Sequence, residues 1–304
     1  DTKKLLKDYL THAEYERGFM NRALGFATAI RPILEIIEEH PQLENINQLE
    51  KLLLEDLLQY KEAHENSYMY ESITYLYLFD WLEQKNKEEI YHSHNFKTIF
   101  ERLLQRISPL GIAPTFGDSD PKRFSFGRYI AIFEKIASIY RDGRFKWIAQ
   151  KLFNLYRIYL SNGHQPHGSD FYGLAYAHKW ADDSIKPIKP TNESLITHRN
   201  DGELDKLIIR SGWDSKDMYG MFSLMNGNEH GHNDILALNG IIFNNQICLN
   251  EIGRESNDSK YWRRRQHHNT VVFRENEEDF PFYQGNYSDK WQLGRFKLKS
   301  HWIW

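Results

Sequence analysis

The chain has 304 residues and carries 42 acidic against 39 basic side chains, a formal net charge of −3. At roughly 150 residues per domain this length predicts about two domains, and 40% hydrophobic residues supply ordinary cores and exclude a disordered chain. The near-neutral balance excludes nucleic-acid binding by bulk charge, no apolar run reaches the ~18 residues a bilayer span takes, and the single cysteine, Cys248, excludes an intrachain disulfide and a thiolate zinc cluster.

In chain order, residues 1–185 read as helical. Ile46, Leu49, Leu53, Leu57 and Tyr60 recur at helical spacing, as do Phe96, Ile99, Phe100, Leu103, Leu104 and Ile107. Between them, residues 70–82 are apolar on nearly every side, which predicts an inner helix. Ile132, Phe133, Ile136, Ile139 and Tyr140 make another helix. Leu152, Phe153, Tyr156, Tyr159 and Leu160 make a further one, stopped by Ser161-Asn162-Gly163. Helices alternating with loops point to stacked helical hairpins, and no fixed-period repeat marks a regular solenoid.

Lys186-Pro187-Ile188-Lys189-Pro190 reads as a linker, since both prolines favour extended backbone. Beyond it the period changes to two. Strands are expected over 207–210, 218–224, 235–243, 246–249, 270–273 and 296–302, with Asn244-Asn245 as a tight turn. The domains are therefore a helical one over 1–185 and an antiparallel β domain over 191–304. A two-sheet sandwich wants more strands than these, so the β domain is expected to be small or truncated.

Polar residues concentrate at strand entrances. Asn226-Gly-Asn228-Glu229-His230-Gly231-His232-Asn233-Asp234 precedes one apolar strand, and Arg263-Arg264-Arg265-Gln266-His267-His268-Asn269 precedes another. His230 and His232, two apart on extended backbone, point the same way. His232, His268 and a carboxylate between them would make a two-His, one-carboxylate zinc set; the alternative is surface histidines at strand ends. In the helical half, His64-Glu65-Asn66-Ser67-Tyr68-Met69-Tyr70-Glu71 opens the inner helix, and Gly117-Asp118-Ser119-Asp120 forms a loop suited to an Asx-turn or an N-cap. A tyrosine there transfers protons if its pKa falls from about 10, or else it packs. The 8 Trp, 18 Tyr and 18 Phe suit either a sugar-stacking cleft or an aromatic core.

Taken in order, these segments resemble the heparinase II/III-like polysaccharide lyases. The resemblance rests on Glu65-Asn66-Ser67-Tyr68-Met69-Tyr70, Gly117-Asp118-Ser119-Asp120, Arg210-Ser211-Gly212-Trp213, His230-Gly231-His232-Asn233-Asp234 and His268-Asn269-Thr270-Val271. It implies an α+β multidomain fold, an incomplete (α/α) toroid followed by an antiparallel β-sandwich, with further helices before this chain's start. It places Tyr70 on the catalytic tyrosine, His230 beside the reacting sugar, and His232 and His268 on metal ligands. Glu251, in Leu249-Asn250-Glu251-Ile252-Gly253, stands where the family has an aspartate as third ligand. Asn21, next to Arg22, matches the group that holds the substrate carboxylate. Arg22, Glu65, Asp118 and Arg264 are the expected substrate contacts.

The implied reaction is β-elimination on an acidic, uronate-containing polysaccharide or oligosaccharide, with a divalent metal, zinc, in a structural role. Tyr70 and His230 are expected to face each other across one cleft. A catabolic lyase would be periplasmic or secreted, a biosynthetic one cytoplasmic or envelope-associated. Two other readings stay open: a uronate C5-epimerase, which returns the proton, and a non-catalytic or biosynthesis-associated polysaccharide-binding protein.

Overall fold

The structure is a computed structural model and describes residues 4, 21–36, 43–59, 67–120, 124–198, 204–224, 237–251, 269, 274–275 and 278–279. Among the described residues seven α-helices precede an antiparallel sheet, a mixed α+β fold. The chain divides into two compact units. The first is Asp1–Glu65, Tyr70–Glu101 and Ser125–Pro187; the second is Asn66–Met69, Arg102–Phe124 and Ile188–Trp304.

The helices are α1 (Asn21–Ile36), α2 (Leu43–Gln59), α3 (Tyr68–Gln84), α4 (His94–Arg106), α5 (Phe126–Tyr140), α6 (Gly143–Ser161) and α7 (Gly168–Trp180), with one 3₁₀ turn at Glu88–His92. α3 is the inner helix its all-round apolar sequence predicts: Tyr75, Leu76, Leu78, Phe79, Trp81 and Leu82 are all buried. In the first unit Phe79 sits at the centre of a ring cluster, 5.5 Å from both Phe100 and Trp180 and 6.2 Å from Tyr91. Burying each such ring contributes about 1.5–3 kcal/mol, so this cluster anchors α3.

Helix ends follow local chemistry. Asp142 caps α6 by accepting from the Arg144 amide at 2.9 Å. The same helix stops where Ser161-Asn162-Gly163 was expected to stop it, with Gly163 at φ +82°. At α7 a capping box forms: His167 accepts from the Ser169 amide, and the Asp170 carboxylate accepts from the His167 amide at 2.9 Å. Asp170 also receives the Ser125 hydroxyl and the Gly127 amide, each at 2.9 Å, so one buried carboxylate ties the starts of α5 and α7 together. The two helices touch backbone to backbone there. A Cβ at Gly173 would lie 2.2 Å from the Gly127 carbonyl carbon, and one at Gly127 would lie 2.3 Å from the Asp170 oxygen. Only glycine permits this approach.

The second unit carries a five-stranded antiparallel meander, β1 (Leu195–His198), β2 (Leu204–Arg210), β3 (Tyr219–Ser223), β4 (Ala237–Phe243) and β5 (Gln246–Asn250), in that spatial order. β2 to β5 match four of the expected strands. The turn between β4 and β5 is Asn244-Asn245, both at positive φ (50° and 64°), which asparagine tolerates and a tight hairpin needs. Two further two-residue strands, β6 (Arg274–Glu275) and β7 (Glu278–Asp279), pair with each other. The strands expected at 270–273 and 296–302 lie outside the described residues. No helix among the described residues is long and apolar enough to cross a membrane.

Candidate functional site

Two of the singled-out segments, about fifty residues apart in sequence, meet in the second unit. The loop at Gly117-Asp118-Ser119-Asp120 turns through Gly117 at φ +53° and folds onto the first turn of α3. The Ser67 hydroxyl donates to the Asp118 carbonyl at 3.1 Å and shares a 3.0 Å hydrogen bond with the Ser119 hydroxyl. The Tyr68 amide donates to Ser119 Oγ at 3.1 Å. Ser119 therefore caps an amide of α3 from a distant loop.

The Tyr68 phenol donates to the Asp120 carbonyl at 2.5 Å, and its ring lies 6.2 Å from Phe116 and 5.8 Å from Phe124. Burial pushes its pKa well above that of an ordinary phenol, and Asp120 adds to the rise, while a Thr115 hydrogen bond opposes it. Tyr68 thus holds its proton and serves as a structural pin. Tyr70 is half-buried, two positions along the same helix, with its carbonyl accepting from the Thr74 hydroxyl at 3.0 Å. Asp118 is buried.

Ser119→Ala should cost about 1 kcal/mol or more of stability, the usual loss of a cap, because the Tyr68 amide stays buried without this acceptor. Thermal denaturation of Ser119→Ala beside Ser119→Thr, which keeps the hydroxyl, checks this; equal melting temperatures would argue against the cap.

Asn21 opens α1, and Arg22, the next residue, is exposed. Glu65, His230, His232, Arg264 and His268 lie outside the described residues. Glu251 follows β5 and is buried. Its amide donates to the Asn239 carbonyl at 2.8 Å, and its carboxylate accepts the Asn269 amide at 3.1 Å. Asn269 is also tied to β4, where the Leu238 amide donates to its carbonyl at 2.9 Å. Glu251 is therefore held against the residue that directly follows His268.

Arg210, first residue of the Arg-Ser-Gly-Trp segment, has a role that the sequence reading did not assign. Its guanidinium lies 3.6 Å over the Trp213 ring and 5.0 Å from that of Tyr219. It donates to the carbonyls of Gln105 and Ile107 at 2.7 and 2.8 Å, while the Tyr219 hydroxyl donates to the Arg106 carbonyl at 2.9 Å. These carbonyls lie at the C-terminal end of α4, where a cation also meets the negative pole of the helix. Burial lowers the Arg210 pKa to about 10, so the group stays charged at neutral pH. The signal for this role was the cation two residues before a Gly-Trp pair, which a stacked arginine explains.

Next to it, Asp205 is buried among cations. It accepts from Lys206 at 2.9 Å and the Thr197 hydroxyl at 3.0 Å, and pairs with Arg106 at 3.4 Å. Burial works to raise its pKa, but Lys206 and Arg106 outweigh burial and hold the carboxyl below its ordinary value.

No protein-family model matches the sequence, and no curated protein matches it. Among solved structures, the chain is similar to a mutant of heparan sulfate lyase HepC from Pedobacter heparinus, with a TM-score of 0.50 and 15% identity over 84% of this chain and 37% of that one. It is also similar to heparinase III, with a TM-score of 0.32 and 12% identity over 89% of this chain and 50% of that one. The chain thus spans half or less of the length of these two proteins. The first likeness is one of fold.

Proposed function

We propose that the chain is part of a heparinase II/III-like polysaccharide lyase, with an incomplete (α/α) toroid over 1–185 and an antiparallel β-sandwich over 191–304, and that it cleaves a uronate-containing polysaccharide by β-elimination. The observation that carries this reading is the hydrogen-bonded meeting of Ser67 and Tyr68 with Asp118-Ser119-Asp120, because it joins two family-like segments at the start of the helix that bears Tyr70. The fold likeness to the heparan sulfate lyase supports it.

In this reading Asn21, with Arg22, neutralises the substrate carboxylate, which makes the α-proton at C5 acidic enough to leave. Tyr70 or His230 takes that proton. The C5–H electron pair becomes the C4–C5 double bond, the C4–O4 bond breaks, and Tyr70 returns a proton to O4. Glu65, Asp118 and Arg264 contribute to holding the substrate, Asp118 through the loop it helps to shape.

Two imidazoles and a carboxylate, His232, His268 and Glu251, form a donor set that suits Zn²⁺, and the buried Glu251 carboxylate beside the Asn269 amide fits such a set. The metal would supply a rigid cross-link that fixes the strand of His230. About one zinc per chain is expected by elemental analysis, and stripping it with a chelator should lower the melting temperature. A metal-free protein whose melting temperature does not respond to added Zn²⁺ would remove this part of the proposal.

The test of the function is incubation with heparan sulfate, hyaluronan and alginate, followed by the ultraviolet absorbance of the unsaturated product. Absorbance growing with time on one polymer supports the lyase. Proton exchange at C5 without absorbance would point to an epimerase, and binding without either to a non-catalytic polysaccharide-binding protein.

A further inference from the structure

Tyr172, Tyr176 and Trp180 recur every four residues on α7, and their rings follow one another at 4.7 Å and 4.6 Å. Exposure falls along the row, from 47% at Tyr172 to 6% at Trp180. Behind the row stand two carboxylates of α3, Asp80 and Glu83, in different circumstances. Glu83 accepts from Lys135 at 2.5 Å, Lys179 at 2.7 Å and the Trp180 indole at 2.9 Å. Burial works to raise its pKa, but the two lysines hold it below the ordinary value. Asp80 accepts the Tyr176 hydroxyl and has no ion-pair partner among the described residues. Burial raises its pKa.

The Tyr172 hydroxyl donates to the Tyr176 hydroxyl at 3.0 Å, and Tyr176 donates to Asp80. Each phenol has one proton, and both protons point inward. The chain of hydrogen bonds therefore ends at the surface on a Tyr172 oxygen that can only accept. Lys179, 56% exposed at its side chain and 5.7 Å from the Tyr176 and Trp180 ring centres, adds N–H groups beyond the one on Glu83. Lys179 and Lys135 act on Asp80 only through space, short of an ion pair, so its second carboxylate oxygen keeps acceptor capacity beyond the Tyr176 hydrogen bond.

We infer that this face of α7, with Asp80 behind it, is a saccharide-binding site that takes a neutral pyranose ring. The ring's C–H face stacks on Tyr172. Its hydroxyls donate to Tyr172 Oη and to Asp80 and accept from Lys179. Asp80 and Glu83 offset the two lysines, so the cluster has no net charge to attract a uronate or a sulfate. The site stands apart from the proposed elimination chemistry: Asp80 lies ten residues beyond Tyr70 on α3, about 15 Å along the helix. The inference does not depend on the lyase reading.

The test titrates the full chain with cellohexaose, N-acetylchitohexaose and a mannuronate hexamer, by calorimetry and ligand-observed NMR. At least one neutral hexamer is expected to bind with a dissociation constant on the order of 1 mM, a usual strength for one or two sugar contacts. Tyr172→Ala should weaken this by about five- to tenfold through loss of the ring contact. Tyr172→Phe keeps the ring and should weaken binding less. Phe153→Ala, on α6, should leave binding unchanged, and circular dichroism verifies that each variant is folded. No binding of either neutral hexamer, equal binding by Tyr172→Ala, or Tyr172-dependent binding of the mannuronate hexamer alone would each overturn the assignment.

Discussion

Tyr70→Phe is expected to lower kcat for β-elimination by roughly 10²–10⁴, the usual contribution of a positioned acid or base. The change removes one oxygen and keeps the ring, so the start of α3 should keep its packing and the melting temperature should change little. KM should move little as well, because the lost interaction belongs to the transition state. His230→Ala should also slow turnover, and the double variant should lose much less than the product of the two single losses if both groups serve one transition state. Tyr68→Phe is the useful contrast. It removes the hydrogen bond to the Asp120 carbonyl, so it should lower the melting temperature without removing the proposed proton-transfer group. Near-wild-type elimination by Tyr70→Phe, on a polymer that the protein cleaves, would remove Tyr70 from the reaction.

Asp205→Ala is expected to destabilise the second unit by about 3–5 kcal/mol, because it leaves Arg106 and Lys206 as buried cations without this carboxylate. Denaturant unfolding monitored by tryptophan fluorescence reads the loss, and Trp213 is a buried reporter in that unit. The pH dependence follows from the lowered pKa of Asp205. A carboxyl with a depressed folded-state pKa stabilises the fold fully above its unfolded value of about 3.9, and the stabilisation is lost as pH falls toward the folded value. Wild-type stability should therefore drop below about pH 4, and Asp205→Asn should start lower and show a shallower acid limb. An unchanged acid limb in Asp205→Asn would assign that limb to other carboxylates.

The helices and strands most legible in the sequence are those whose patterns are set by one dominant force. α3 could be read from its all-round apolar surface, and β4 and β5 from the apolar runs flanking two asparagines. α1 and α7 gave no clear periodic signal. α1 contains Pro32 and Gly25, and α7 begins at Gly168 and contains Gly173, residues that read as breakers; only the tertiary structure shows that Gly173 admits the Gly127 backbone and that Gly25 admits the Tyr77 ring. β1 is four residues long and ends in Thr-His, too short and polar for a period-two reading. Of the site, the sequence brought out the segment at Ser67 and the loop at Ser119 separately. Their hydrogen bonds depend on a tertiary approach that no local pattern encodes. The carbonyl-capping role of Arg210 was hidden for the same reason: Gln105 and Ile107 lie more than a hundred residues earlier.

That separation bears on the order in which the second unit assembles. The carbonyls of Gln105 and Ile107 wait for a guanidinium 105 and 103 residues further along the chain. The end of α4 therefore cannot be completed during early, local helix formation. It closes only when the sheet arrives, at the entropic cost of a long loop. Native-state hydrogen exchange should show this as a shared opening event, with amides around Gly111 and Ile112 exchanging together with those of β2 and β3 rather than with the first turns of α4.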